Sequence, residues 1–202
     1  MSKEAQTNID VLDLIRQRWS PYGYSNKPVP AEHVLAALEA ARWAASSYNE
    51  QPWRFVLASQ CDEAGYAKAL GCLVEANQAW AKNAPVLLIT FVKKTFARNG
   101  NPNRTAEHDL GLAVGNLSLE ATRRGLYVHQ MGGIDTAKAE REYGVPDDFA
   151  AVTAIAIGYR EDPSKLPDEV RQTDEAPRQR RPLEQTVFAG SWGEPAKLAR
   201  GV

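Results

Sequence analysis

The chain has 202 residues, 44% hydrophobic and 24% charged, and its 24 Lys+Arg against 25 Asp+Glu leave a formal net charge of −1. That size predicts one domain, 1–202, able to bury a core without metal or disulfide, and the charge balance excludes the basic excess of a general nucleic-acid binder. The longest apolar run, 84–92, is too short to span a membrane, the N-terminal stretch has no apolar signal-like core, and there are two cysteines, Cys61 and Cys72, so a reduced, cytoplasmic chain is expected.

Asn8 or Asp10 can cap a first helix over 11–18, with Val11, Leu12, Leu14 and Ile15 as its apolar side. Residues 20–30, SPYGYSNKPVP, are turn chemistry, after which Pro30 opens a second helix with Val34, Leu35, Leu38 and Ala41 spaced at three and four. WRFVLAS, 53–59, reads as a strand. Residues 64–80 read as an alanine-rich helix broken at Gly71, with both cysteines on that helical segment. Pro85 then begins a fully apolar strand, PVLLITFV, of the kind found at the centre of a sheet. FARNGNPNR, 96–104, is a polar loop.

The longest helix starts at Thr105 or Asp109 and runs to Arg124, closed by Gly125. Leu110, Ala113, Val114, Leu117 and Ala121 share one face, Leu112 and Leu119 lie elsewhere, and Gly111 and Gly115 would let another backbone come close. Two readings follow: a central core helix, or one shared between the core and a partner subunit. Residues 126–131 form a short strand, 136–143 a helix ended by Gly144 and Pro146, and AVTAIAIG, 151–158, a third apolar strand. Five of the 12 prolines (Pro163, Pro167, Pro177, Pro182, Pro195) fall in residues 160–202, which therefore cannot be built mainly of long helices. Alternating strands and helices point to α/β or α+β layering.

The familiar chemical motifs are missing: no GxGxxG after a strand, no GxxxxGK[ST], CxxC, HExxH or GxSxG. His33, His108 and His129 lack metal-ligand spacing, so no metal is expected, and a bound organic cofactor is the natural carrier of any chemistry. Three polar or cationic segments exceed what a scaffold needs: 16–20 (RQRWS), 44–53 (AASSYNEQPW) and 178–182 (RQRRP). Guanidinium forks of the last kind are suited to a phosphate dianion.

In this order the segments resemble the FMN-dependent nitroreductase family. Arg18-Trp19-Ser20-Pro21-Tyr22-Gly23-Tyr24 is similar to its opening Arg-(Arg/His)-Ser-x-(Arg/Lys)-x-(Phe/Tyr), and Pro28-Val29-Pro30 to its helix start. Ala44-Ala45-Ser46-Ser47-Tyr48-Asn49-Glu50-Gln51-Pro52-Trp53-Arg54-Phe55 is similar to Ala-Pro-Ser-Ser-x-Asn-x-Gln-Pro-Trp-x-Phe. Asp109-Leu110-Gly111-Leu112-Ala113 with Asn116-Leu117, Met131-Gly132-Gly133-Ile134-Asp135, Ile157-Gly158-Tyr159 and Arg180-Arg181-Pro182-Leu183-Glu184 continue the likeness over about 11–193.

The resemblance implies an α+β fold: a central mixed β-sheet surrounded by helices, an extended C-terminal arm over 160–202 that crosses the partner subunit, and a domain-sharing homodimer with FMN at its interface. It implies an oxidoreductase in which NAD(P)H gives hydride to the flavin and a small organic acceptor (nitroaromatic, quinone or related electrophile) then takes it, in ping-pong order. Flavin N5 carries the hydride, so no catalytic side chain is expected. Arg18 and Ser20, with Arg178 and Arg180, would hold the phosphate and ribityl chain. Asn49 would meet the pyrimidine edge, with Ser46, Ser47 and Gln51 shaping that loop, and Met131, Gly132 and Gly133 would carry the backbone past N5. Trp19 and Tyr22 depart from the family's basic residues, and Tyr22 replaces a cation near the flavin N1–C2 side. A flavin-binding or sensor protein without turnover is the alternative, and a plain structural subunit with surface arginines a third reading.

Overall fold

A computed structural model describes residues 3–201. In chain order it contains α1 (Asp13–Gln17), β1 (Tyr24–Ser25), α2 (Ala31–Arg42), β2 (Trp53–Ser59), α3 (Glu63–Gly71), α4 (Glu75–Ala81), β3 (Val86–Lys93), α5 (Ala106–Arg123), β4 (Tyr127–Met131), α6 (Thr136–Tyr143), β5 (Phe149–Arg160) and α7 (Asp168–Glu175). β5 is the middle strand. It pairs β3 on one edge and β4 on the other, β2 lies outside β3, and β1 joins the C-terminal end of β5. The architecture is α+β, as expected. The pairings among these strands are antiparallel.

The alternation of β3 builds the core on both faces of the sheet. Leu87, Ile89 and Phe91 pack with Tyr66, Ala69, Trp80 and Ala139 from α3, α4 and α6. Val86, Leu88 and Val92 pack with Val34, Ala37, Leu110, Ala113 and Leu117 from α2 and α5. The register slips between Ile89 and Phe91, and buried Thr90 repairs it: its Oγ1 donates to the Thr153 carbonyl (2.9 Å) and accepts the Thr153 N–H (3.0 Å).

Several expected elements change. The first helix shrinks to five residues, because neither Asn8 nor Asp10 caps it; Leu12 stands at its start with no side-chain hydrogen bond. The 64–80 segment is two helices separated at 72–74, where Leu73 bridges to Ile134. Cys61 therefore lies in the turn before α3 and only Cys72 reaches that helix's end. α5 is buried on one side through Leu110, Ala113, Val114, Leu117 and Ala121, whereas Gly111, Leu112 and Gly115 are exposed.

The tail also departs from expectation. From β5 to Arg178 it folds back on its own chain, with Asp174 of α7 buried, rather than reaching outward as an arm. Only the stretch beyond, 179–201, is arm-like: short 3-10 turns at Leu183–Gln185 and Lys197–Ala199 flank a hairpin closed by Phe188 and Pro195, with Trp192 93% exposed.

Candidate functional site

The segment after α1 runs alongside β4. The Trp19 ring meets Tyr127 edge-on (5.7 Å between centroids), the Pro21 carbonyl accepts from His129 Nδ1 (2.8 Å), and Tyr22 packs on the His129 ring (4.7 Å) and on Trp80 (5.1 Å). β4 continues directly into Met131, Gly132 and Gly133. Arg18, Ser20, Tyr22 and the glycine turn thus lie along one strip.

At the head of that strip three guanidiniums crowd together. Burial, and the Arg180 guanidinium beside it, hold Arg18 below the ordinary arginine value. Arg178 is lowered by burial, then by Arg18 and Arg180. None of the three has a carboxylate partner among the described residues. Arg18 and Arg178 are partly buried and Arg180 is exposed; neighbouring cations of this kind are relieved by an anion, and a phosphate dianion with its several acceptors matches guanidinium donors. Ser20 Oγ accepts from Arg18 Nη1 at 3.4 Å and joins the same cluster.

Three expected ligand residues are turned to other work. Trp19 is 7% exposed, with Lys3 Nζ 4.3 Å and the Arg160 guanidinium 5.1 Å from its ring centroid, so its side chain is committed to the chain's own packing. Arg178 gives three N–H groups to backbone carbonyls of Lys3, Arg16 and Arg18. Met131 is buried in the core and offers only its backbone. The two glycines also differ. A Cβ on Gly132 would meet nothing within 4 Å, as a close backbone approach requires, whereas one on Gly133 would strike Asn77 and Val74 at the start of α4.

The second polar segment lies elsewhere. Residues 46–51 are fixed to the N-terminal end of α5, where buried Asp109 accepts the Ser47 N–H (3.0 Å). Tyr48, Asn49 and Gln51 all adopt positive φ (54°, 55° and 51°), a left-handed conformation that strains non-glycine residues. The strain is held by Ser46 Oγ accepting the Gln51 N–H (3.0 Å), Gln51 Nε2 donating to the Asn49 carbonyl (3.1 Å), and Glu50 accepting the Ala97 N–H (2.8 Å). Arg98 stacks over Tyr48 at 3.8 Å, binding the 96–104 loop to this one. Clusters of strained backbone persist where the surroundings over-determine them, commonly at ligand sites.

The two halves are far apart in one chain. Trp19 lines a cavity of about 300 Å³ together with Thr122, Gly125 and Tyr127 at the C-terminal end of α5, and the 46–51 loop hangs on Asp109 at the other end. Asp109 and Thr122 stand thirteen helical steps apart, roughly 20 Å at ~1.5 Å per residue.

Sequence reasoning missed Asp174 and His129 as parts of this site. Asp174 is one acid in the run Asp174-Glu175 of a polar helix, and nothing in its pattern marks it; His129 is marked only by standing two residues before Met131. No group of three or more metal-capable side chains occurs among the described residues, and no helix there is long and apolar enough to cross a membrane.

Comparison with known proteins adds to this geometry. The sequence model of the Nitroreductase family matches residues 15–159. A solved oxidoreductase containing FMN superposes with a TM-score of 0.87 over 95% of this chain and 98% of its own, at 36% identity. A 15.4 kDa protein of Mycolicibacterium smegmatis, from the ask 5' region, is 33% identical over 129 residues, 62% of this chain and 84% of that protein. The iodotyrosine deiodinase of Thermotoga neapolitana is 24% identical over 174 residues, 76% of this chain and 90% of its own.

Proposed function

The chain belongs to the nitroreductase family, and on that premise we propose that it is an FMN-dependent oxidoreductase acting as a homodimer. One observation carries the reading: three guanidiniums without a carboxylate partner head a strip that ends at Gly132, whose Cβ direction is open. FMN, when bound, supplies a hydride carrier at N5. Arg18 and Arg180 hold its phosphate, Ser20 stands beside the ribityl chain, and Gly132 leaves the ring uncrowded. Asn49 offers its amide to the pyrimidine edge, on a loop that Ser46, Ser47, Gln51 and Asp109 keep rigid.

The roughly 20 Å between Arg18's end of α5 and the 46–51 loop supports a two-fold pair in which each flavin takes one half-site from each copy. The exposed Gly111, Leu112 and Gly115 stripe supports α5 as the contact. NAD(P)H and a small acceptor (nitroaromatic, quinone or related electrophile) use the same open side in turn, which is ping-pong order.

Purification tests this. A yellow protein releasing FMN on denaturation, bleached anaerobically by NADH or NADPH and re-oxidised by a nitroaromatic or a quinone, is expected. A colourless protein that cannot be reconstituted with FMN overturns it. Tyr22, packed on Trp80 and His129 where a cation is usual in the family, favours a second reading: a flavin-binding protein without turnover. A yellow protein that neither nucleotide bleaches would establish that one instead.

A further inference from the structure

Two charged residues of the tail grip the segment that bears Arg18, Ser20 and Tyr22, and both grip it by its backbone. Asp174 is 1% exposed, and its two carboxylate oxygens accept the N–H groups of Tyr22 (2.8 Å) and Gly23 (3.1 Å). Arg178 donates from Nη1 to the carbonyls of Lys3 (3.1 Å) and Arg16 (2.7 Å), and from Nη2 to that of Arg18 (2.9 Å).

The gripped segment needs holding. α1 has five residues, buries none of them and has no side-chain cap at its start. So short a helix does not hold its shape alone, and its last carbonyls are orphaned unless something donates to them. Arg178 adds a second donor to the Arg16 carbonyl, which also accepts the Ala5 N–H (2.9 Å), and caps the Arg18 carbonyl just beyond the helix, where a cation also complements the helix dipole. Arginine has five N–H groups, and three of those on Arg178 are already spent on carbonyls. Arg180, by contrast, makes one hydrogen bond, to the Gln179 carbonyl (2.7 Å), and is exposed.

We propose that Asp174 and Arg178 are positioning residues: they clamp residues 16–23 at two points, the carbonyls of Arg16 and Arg18 and the N–H groups of Tyr22 and Gly23, and set where Ser20 and Tyr22 meet the flavin, while Arg18 and Arg180 read the phosphate. The proposal rests on the flavin reading above. It divides the tail's arginines by ligand, because riboflavin differs from FMN only in lacking the phosphate. A phosphate ligand matters to FMN alone; a residue that positions Ser20 and Tyr22 matters to both flavins.

The experiment titrates apoprotein with FMN and with riboflavin and records the melting temperature of each variant. Arg180→Ala is expected to weaken FMN roughly 10- to 100-fold, the range for losing a charge-assisted hydrogen bond, and to leave riboflavin unchanged. Arg178→Ala and Asp174→Asn are expected to weaken both flavins by a common factor, on the order of 10-fold. At saturating FMN both should also alter the visible circular dichroism of the bound flavin. Ile89→Val, in the core of β3, controls for stability: it lowers the melting temperature and leaves both affinities and the dichroism unchanged. Should Arg178→Ala unfold the chain, Arg178→Lys keeps the cation with fewer donors, and Asp174→Asn carries the same comparison. Arg178→Ala weakening FMN alone, or neither variant moving either flavin, overturns the proposal. A wild type that binds neither flavin overturns the functional reading and the proposal with it.

Discussion

At Gly133 an added Cβ would lie 2.6 Å from Asn77 Nδ2 and 2.8 Å from Val74 Cγ2, whereas at Gly132 it would meet nothing. Gly133→Ala should therefore destabilise the fold by about 1–3 kcal/mol, the cost of overpacking, as read from denaturant unfolding. Gly132→Ala should unfold at close to the wild-type denaturant concentration and reveal itself in flavin affinity; equal losses of stability would refute the distinction. His129 gives a pH dependence. Burial pushes its ring below the ordinary histidine value, partly opposed by the Pro21 carbonyl and the Asp174 carboxylate, so the folded ring is neutral where the unfolded one begins to protonate. The unfolded state then binds more protons, and stability is lost as pH falls from about 6.5 toward the lowered value. The drop in melting temperature between pH 7.5 and 5.5 should shrink in His129→Gln. The order of the candidate segments was legible along the sequence; where their side chains point was not. Trp19, Met131 and Arg178 were expected among the cofactor's neighbours, yet their side chains serve packing and backbone capping, which depends on neighbours from distant elements.

The elements with strong apolar runs were readable because their burial is written in their own residues. β3, read from PVLLITFV, is buried along nearly its whole length, and β2 occupies 53–59, the bounds read from WRFVLAS. α6 was marked at its end by Gly144, which sits at φ 59°, and the structure adds Asp135 as the cap at its start. Asp135→Ala removes the acceptor for the Lys138 N–H (2.9 Å) and should cost about 1 kcal/mol by chemical denaturation. A much smaller loss would mean that the glycine turn, not the cap, fixes this helix. β1 and α7 were illegible for one physical reason: each is defined by what it docks on. β1 is two residues long and exists through its pairing with Tyr159 and Arg160, and α7 is the polar run DEVRQTDE, whose one buried side chain is an aspartate.

For the whole molecule, α5 is the decisive member, because its exposed side carries two glycines with open space above them. Gly115→Leu should be accommodated by a lone chain and should obstruct a helix approaching from outside. Sedimentation should then show dissociation, with bound flavin lost in the same proportion; a fully dimeric, fully yellow variant would rule α5 out as the contact. The charge neutrality of the whole chain conceals how unevenly its arginines are spread, with Arg18, Arg178 and Arg180 drawn near one another. The placing of the 46–51 loop at the helix's other end has a consequence in mass action. In the proposed pair, with half of each site on either copy, cofactor binding and association would be one linked equilibrium, each drawing the other along. Flavin should cling more weakly as the protein is diluted, and added flavin should restore the pair. On the proposed arrangement, a flavin affinity measured for this protein would carry the protein's own concentration inside it.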